Sequence, residues 1–376
     1  MKKSILLVLA LVFITNNYFA QELALVVDDG KAGYINKSGE MVIPAKFKNA
    51  GKFSEGYAAA SENGKVWGLI DPKGDWVIQP EYDKMKTFNS GYVVVLKDDQ
   101  WRHVDASNKV LEIPTTDKVF DFKDGVAFFR VEKKIGLIGT DGKVILEPTY
   151  DVVKTFRNGY AKVRNNEKWG MIDKTGKVII NLNYEGIGDY SSIGVWAKKG
   201  EIYGVISGNE FHENSEINKI SDFHYGESLT YARKDKLWGF VNAKAEWVIQ
   251  PNYKKVKAFR NGLAPAMEDK LWGYINEKGE MTIPESFKDA EVFAENGLAP
   301  AKEKKLWGFI DSTGTMKIAE GYEITAKGFS MFSKNNIKGF HNGLARVSAK
   351  KKWGYINAEG ELLGGKWYER AELFSK

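Results

Sequence analysis

The chain has 376 residues, of which 43% are hydrophobic and 13% aromatic, and this much apolar surface excludes an intrinsically disordered protein. Its 55 basic and 49 acidic residues give a formal net charge of +6, without the basic runs typical of a nucleic-acid-binding protein. Cysteine is absent, which excludes disulfides, thiolate metal sites and a cysteine nucleophile.

The first 20 residues have the layout of a secretory signal peptide. Lys2 and Lys3 precede an apolar run from Ile5 to Ile14, and cleavage fits best after Ala20. An uncleaved anchor is the alternative, but the run is shorter than the ~20 residues that span a bilayer. We therefore predict a signal peptide over residues 1–20. The mature chain would be secreted across the inner membrane to the periplasm or cell surface, with no membrane insertion.

From residue 21 to residue 376 the chain reads as one tandem array. A Trp-Gly pair, or its remnant, recurs about every 34 residues, and its second residue lies at Gly33, Gly68, Arg102, Gly136, Gly170, Gly204, Gly239, Gly273, Gly308 and Gly354. A fixed period of this kind indicates ten similar small units rather than a few unlike domains. The last interval is longer because of an insertion near residues 327–340.

The eighth unit shows the structure that we expect for each copy. Leu263–Met267 and Leu271–Ile275 have the composition of strands. Asn276–Gly279 is a hairpin turn, and Glu280–Ile283 is a third strand. Pro284 should end that strand, because proline has no N–H for a ladder. No segment has helical length and period, so the prediction is an all-β protein with three or four short strands per unit.

The copies differ in an informative way at the Trp-Gly pair. The glycine is kept at nine of ten positions and fails only at Arg102, whereas the tryptophan is kept at seven and is replaced at Ala32, Ile135 and Tyr203. The glycine position is therefore predicted to be sterically strict, with a backbone or ring packed against its Cα. The tryptophan position is predicted to fill volume.

The residue that ends the second strand alternates between asparagine and aspartate, as at Asn276 and Asp311. A side chain that starts a turn tolerates this exchange, and a catalytic carboxylate does not.

The pattern W-G-(Y/F/L/M)-I-(D/N)-x-x-G followed by (V/I)-I-x-P-x-(Y/F) resembles the WG-repeat family, also called KWG repeats. A lysine precedes the pair in several units, as in Lys168 to Gly170 and Lys352 to Gly354. The resemblance covers nearly the whole mature chain. It implies a β-repeat protein that serves as a binding or structural module in a bacterial envelope, and it carries no catalytic residues to transfer.

Ten such units could form an elongated, solenoid-like array or a closed, propeller-like ring. Propellers usually have four to eight blades, and the chain begins and ends near the same phase of the repeat. Nothing in the sequence therefore suggests a terminal strand that completes a shared blade. We expect the elongated array, with the closed ring as the alternative.

The most uniform stretch, Gly226 to Gly314, is the candidate binding surface. Its repeated aromatic and basic residues are Trp238, Trp272, Trp307, Lys236, Lys270 and Lys305. The tryptophans could be platforms for sugars, but the replacements elsewhere favour core residues. The lysines could attract an acidic partner, but a solvated edge that prevents strand-to-strand aggregation is the favoured interpretation.

Other polar residues form no convincing chemical site. His212, Glu213 and His224 match no familiar metal-site spacing, while His103 and His341 stand alone. No phosphate-binding glycine loop or serine nucleophile motif is present. We predict no catalytic residues, no metal and no cofactor.

The resulting hypothesis is a non-enzymatic interaction or scaffolding protein whose partner is a protein of the cell envelope. An envelope-polysaccharide binder is the alternative, and an enzyme of unknown type is the third possibility. A long repeat array presents the extended surface that such partners need, and no nucleic acid is expected as a ligand.

Overall fold

The computed structural model describes residues 22–325 and 338–376. In these residues the chain is almost entirely β, and its single short 3₁₀ helix spans Leu363–Gly365. No helix in the described part of the chain is long and apolar enough to cross a membrane. The predicted signal peptide lies outside the described residues, as does most of the predicted insertion.

The strands form ten antiparallel sheets, which we call blades 1 to 10. Blades 1 to 5 contain β1 (Ala24–Asp28), β2 (Lys31–Ile35), β3 (Met41–Phe47); β4 (Asn49–Ala50), β5 (Ala58–Ser61), β6 (Trp67–Ile70), β7 (Trp76–Tyr82); β8 (Lys84–Met85), β9 (Val93–Lys97), β10 (Gln100–Val104); β11 (Val126–Val131), β12 (Lys134–Gly139), β13 (Val144–Tyr150); β14 (Val152–Val153), β15 (Tyr160–Asn165), β16 (Lys168–Asp173) and β17 (Val178–Tyr184).

Blades 6 to 10 contain β18 (Gly186–Ile187), β19 (Val195–Lys199), β20 (Ile202–Ser207), β21 (Glu210–Asn214); β22 (Lys219–Ile220), β23 (Thr230–Lys234), β24 (Leu237–Val241), β25 (Trp247–Tyr253); β26 (Lys255–Val256), β27 (Leu263–Met267), β28 (Trp272–Asn276), β29 (Met281–Phe287); β30 (Asp289–Ala290), β31 (Ala299–Lys302), β32 (Trp307–Ile310), β33 (Met316–Tyr322); β34 (Phe340–His341), β35 (Leu344–Ala349) and β36 (Lys352–Ile356). The last strand, β37 (Arg370–Ala371), belongs to blade 1.

The chain closes into a ten-bladed β-propeller, so the all-β prediction is confirmed and the expected elongated array is wrong. Strand β37 pairs antiparallel with β1 and supplies the short first strand that blade 1 lacks. Hydrogen bonds between Leu23 and Ser375 extend this pairing in both directions, at 2.9 and 3.0 Å. From the sequence alone, the shared phase of the two termini argues against a shared blade. The structure shows a shared blade, because the C-terminal strand β37 begins the unit that the N-terminal strands β1 to β3 finish.

Neighbouring blades are joined at seams by one recurring contact. In most blades the residue after the Trp-Gly pair is buried against a phenylalanine of the next blade, as in Tyr34–Phe53 and Tyr274–Phe293, with ring centroids 4.8 and 5.0 Å apart. The Tyr34 hydroxyl also donates to the carbonyl of Gly51 at 2.6 Å. We call the residue that follows each short first strand the seam residue; Gly51 is that of blade 2.

The closing seam uses the same contact as the interior seams. Tyr355 of blade 10 packs on Phe374, with ring centroids 5.0 Å apart, and its hydroxyl donates to the carbonyl of the seam residue Glu372. A buried ion pair between Arg346 and Glu372, 3.5 Å apart, lies beside it. Closure is therefore built from the repeat's own interactions.

The Trp-Gly glycine is strict because the next strand bulges against it. A Cβ on Gly273 would lie 2.5 Å from the carbonyl oxygen of Ile283, closer than packed atoms can approach. The register shifts at this point between β28 and β29, and Pro284 occupies the bulge, where no ladder N–H is needed. The prediction that Pro284 ends the third strand is therefore wrong, since β29 continues to Phe287.

Arg102 is tolerated because blade 3 is built differently. In the described residues its sheet ends at β10, so no bulged strand crosses position 102. Only a bridge from Val104 to Val110 and a hydrogen bond from Leu111 to His103 continue the pairing.

The alternation of asparagine and aspartate has the turn function that was predicted. Asn276 Oδ1 accepts the backbone N–H groups of Lys278 and Glu280, both at 3.0 Å. Asp311 Oδ1 accepts from the Thr313 hydroxyl at 2.6 Å and from the corresponding backbone groups. The Thr313 hydroxyl and these backbone donors lower the pKa of Asp311 to about 2.

His103, to which the sequence assigned no role, occupies a seam. It follows Arg102 at the position that Tyr34 and Tyr274 hold in other blades, and it is 1% exposed. Its Nε2 lies 2.7 Å from the carbonyl oxygen of Phe120, which matches the tyrosine hydrogen bond if Nε2 carries the proton. Burial lowers the pKa of His103 below its ordinary value.

This burial predicts a pH-dependent seam. As pH falls below about 6.5, the unfolded chain takes up a proton at His103 while the folded chain does not, so stability is lost with acidification. We expect the thermal unfolding midpoint to fall between about pH 7.5 and about pH 5.5, and to fall less in His103→Leu. Leucine occurs at this position in Leu69 and Leu137. The variant should also lose about 1 kcal/mol at the higher pH, because it lacks the hydrogen bond. Equal pH slopes for the two proteins would contradict this role.

Candidate functional site

The candidate site is a cleft of about 350 Å³ formed by four consecutive blades. The side chains that line it come from the loops around the short first strands of blades 7 to 10: His224, Tyr225, Tyr231, Lys257, Ala258, Arg260, Glu291, Val292, Glu295, Lys338 and His341. We call it the four-blade cleft. Because four blades contribute to one cavity, it lies where the blades converge, toward the axis of the ring.

The centre of the four-blade cleft is a carboxylate held between two ammonium groups. Glu291 Oε1 lies 2.9 Å from Lys257 Nζ and 2.5 Å from Lys338 Nζ. The Glu291 side chain is only 13% exposed, so the charge is compensated by its neighbours rather than by water. Lys257 and Glu291 are the seam residues of blades 8 and 9, and Lys338 lies two residues before β34 of blade 10.

The hydrogen-bond donors of the Lys257 ammonium are all used within the fold. Its Nζ contacts Asp289 at 3.3 Å and the carbonyl of Ala290 at 2.6 Å, in addition to Glu291. An ammonium has three donors, and these three acceptors use them all. The same Nζ also lies 5.1 Å from the ring centroid of Trp272, a favourable cation–π distance.

The other cationic groups of the four-blade cleft are Arg260 and Lys338, whose side chains are 19% and 33% exposed. Arg260 lies over the ring of Tyr225 at 4.7 Å and pairs with Glu295 at 3.3 Å. The Glu295 side chain is 75% exposed, so that pair is weak in water. Among the described residues, Lys338 pairs with one carboxylate, that of Glu291. Its charge and that of Arg260 can therefore be offered to a ligand.

The apolar part of the four-blade cleft comes from the residues beside these charges. Ala258 and Val292 are half-buried on the lining, and Tyr225 is 56% exposed. His224 stacks on Tyr231 with an interplanar angle of 18°, and its Nε2 lies 3.3 Å from the hydroxyl of Ser221. The cleft is thus amphipathic rather than purely charged.

The three candidate tryptophans lie at the seams rather than in a free row. Trp272 and Trp307 are each 6% exposed, and Trp238 is half-buried. Basic side chains cover their rings: Lys302 lies 4.6 Å from Trp307, and Lys219 lies 5.6 Å from Trp238. The prediction that the tryptophan position fills volume fits this burial. The rings of Trp272 and Trp307 also contact the lysines of the four-blade cleft.

The three candidate lysines lie away from the four-blade cleft. Lys236, Lys270 and Lys305 are exposed on the turns that join the second and third strands of their blades. Lys270 follows β27, whereas Arg260 precedes it, so the two are at opposite ends of a five-residue strand of roughly 17 Å. These lysines therefore share a different face of the ring.

The described residues hold no group of three or more His, Asp or Glu side chains arranged to bind a metal ion. His224 lines the four-blade cleft, while His212 and Glu213 are successive residues of β21. The chemistry that the cleft offers is recognition: charged donors, a carboxylate and an exposed aromatic ring around an apolar floor.

Sequence reasoning missed the four-blade cleft because its residues occupy the least regular positions of the repeat. The seam residues Lys257 and Glu291 differ in charge from one blade to the next, and Lys338 lies in the insertion near residues 327–340, so a search for repeated features passes over all three. The signal that could have found the cleft is sequence variation at positions whose structural surroundings stay constant from blade to blade.

Comparison of folds supports the ring. The crystal structure of a eukaryotic initiation factor is similar at a TM-score of 0.52 and 9% identity, with 94% of this chain and 98% of that chain covered. BamB from Moraxella catarrhalis (TM-score 0.34, 9% identity, 69% and 90% covered) and the dihydro-heme d1 dehydrogenase NirN (TM-score 0.38, 12% identity, 95% and 74% covered) are more distant. At these identities the likeness concerns the fold alone. No curated protein sequence matches the chain.

The family model described as WG containing repeat matches six segments: residues 33–65, 67–101, 135–169, 169–195, 238–272 and 272–307. Together they cover more than half of the chain, and each begins at or next to a Trp-Gly pair or its remnant. These are the pairs whose glycine meets the bulged strand in the structure. The chain belongs to the WG-repeat family.

Proposed function

We propose that this WG-repeat propeller is a non-enzymatic binding protein of the cell envelope, and that it holds a protein partner on the face that carries the four-blade cleft. The observation that supports the proposal is the convergence of loops from blades 7 to 10 on one amphipathic cavity. Binding sites are concavities of this kind, with a few charged groups around an apolar lining. No comparable convergence is needed to hold the blades together.

A protein partner fits this surface better than a polysaccharide. Sugar-binding rows require exposed aromatic faces, and the faces of Trp272 and Trp307 are covered by lysines. The exposed ring of the cleft, Tyr225, carries the Arg260 guanidinium on one face. Tyrosine and arginine are the residues most enriched at the centres of protein interfaces.

Export to the envelope is part of the proposal. It rests on the arrangement of Lys2, Lys3 and the apolar run that follows, which lie outside the described residues. The mature ring has no cysteine, so its stability in an oxidising compartment would not depend on disulfides.

A photo-crosslinking experiment tests the binding face. Benzoylphenylalanine placed at Tyr225, which is 56% exposed, should capture one or a few discrete proteins in the producing cell. The same probe at Lys270, on the turn between β27 and β28 of the neighbouring blade 8 and on the other face of the ring, is the matched control and should not capture them. Saccharide adducts without protein would support the polysaccharide alternative. Identical adducts from both positions would contradict a partner held on the cleft face.

Export predicts a specific N-terminus. Intact-mass measurement of the protein recovered from the envelope fraction should show a chain that begins at Gln21, because cleavage follows Ala20. A chain that retains Met1 and remains in the cytoplasm would refute export, and it would leave the ring structure unaffected.

A further inference from the structure

We propose that the four-blade cleft recognises an acidic protein segment in which carboxylates alternate with apolar side chains, and that Arg260 and Lys338 bind the carboxylates. This inference rests on the proposed function, since it names the chemistry of the partner at the same face. It follows from which charges of the cleft are already neutralised and which are not.

The acidic groups of the cleft are unequal in their availability. Glu291 is 13% exposed and is held by two ammonium groups, so it is neutralised within the fold. Glu295 is 75% exposed and pairs with the 19% exposed Arg260 at 3.3 Å, so water and salt reach the carboxylate side of the pair and screen it. A ligand carboxylate can therefore displace Glu295 from Arg260 at little cost.

The basic groups of the cleft differ in how many of their hydrogen-bond donors are already used within the fold. The Lys257 ammonium donates to Asp289, to the carbonyl of Ala290 and to Glu291. Its donors are therefore used within the fold, and Lys257 has a structural role. The guanidinium of Arg260 lies 4.7 Å from the ring centroid of Tyr225, and a guanidinium offers the planar donor fork that binds carboxylates in a bidentate way. Lys338 adds a second positive charge from blade 10, across the cleft from blade 8.

The preference for apolar ligand side chains comes from the apolar residues that line the four-blade cleft beside these cations. Ala258 and Val292 occupy corresponding positions of blades 8 and 9, directly after the seam residues Lys257 and Glu291. In blades 6 and 7 the equivalent position holds Asp189 and Asp222. An apolar ligand side chain is therefore accommodated at blades 8 and 9, and a uniformly charged chain would leave this floor unfilled.

The test uses the purified mature chain and fluorescence anisotropy with a labelled, end-blocked peptide of alternating glutamate and leucine. Peptides of glutamine with leucine and of lysine with leucine are the comparison probes. The wild type should bind the acidic probe most tightly, and its affinity should fall with added salt. Arg260→Gln and Lys338→Gln should each weaken binding by about tenfold or more, as expected for the loss of a charge-assisted hydrogen bond.

Three further variants separate recognition from folding. Glu295→Gln should tighten binding of the acidic probe, because it removes the competing carboxylate, and a gain cannot arise from misfolding. Lys270→Gln and Lys305→Gln remove the same charge from the other face and should bind as the wild type does.

Three outcomes would overturn the inference: unchanged affinity in both Arg260→Gln and Lys338→Gln, tighter binding of the lysine peptide, or binding of trigalacturonate at the cleft in place of the acidic peptide. The last result would favour an anionic polysaccharide. If the acidic probe fails to bind while the Tyr225 photoprobe still captures protein, the inference is wrong and the proposed function stands. If neither gives a signal, both are wrong.

Discussion

The structure depends on the seam between blades, where the residue after the Trp-Gly pair is buried against a phenylalanine of the next blade. In tyrosine-bearing blades the hydroxyl also reaches the carbonyl of the next seam residue, as from Tyr274 to Glu291 at 2.8 Å. The same contact between Tyr355 and Glu372 joins blade 10 to blade 1. Each blade is a small sheet of three or four strands that buries its apolar residues against the adjacent blades, so each blade gains its stability from these neighbours. A ring supplies a neighbour on both sides of every blade, and it leaves no terminal repeat that needs a separate cap.

The seam also explains how a repetitive scaffold acquires one particular surface. Backbone hydrogen bonds and the buried phenylalanine hold each seam residue in place, whatever its side chain is. Its side chain can therefore change from Lys257 in blade 8 to Glu291 in blade 9 without altering the seam packing. Two charges of the four-blade cleft come from this variable position, and the rings of Trp272 and Trp307 lie 5.1 and 5.5 Å from the Nζ atoms of Lys257 and Lys338. Function in this fold is thus expected where the units differ, whereas stability is found where they agree.

The repeat predicted the units, the strands and the turns, because each of these depends on local chemistry. Leu263–Met267 was located correctly, and the steric strictness of the glycine was confirmed by the Ile283 carbonyl. Closure was predicted only as the alternative, since the two-residue strand β37 is too short to give a periodic signal and its partner lies at the other end of the chain. The four-blade cleft was missed for a related reason: Arg260, Glu291 and Lys338 are separated along the sequence and meet only because the ring curves.

The central claim is that the chain closes through β37 and β1, and a disulfide tests it most directly. Val26 and Ala371 are opposite each other in the antiparallel pairing, a separation of ~4.5–5.5 Å that a disulfide can bridge. The chain has no native cysteine, so Val26→Cys combined with Ala371→Cys introduces a single pair. The closed ring predicts a quantitative intramolecular disulfide after oxidative refolding, seen as faster migration on a non-reducing gel. Free thiols or disulfide-linked dimers, with no intramolecular product, would contradict the closed ring.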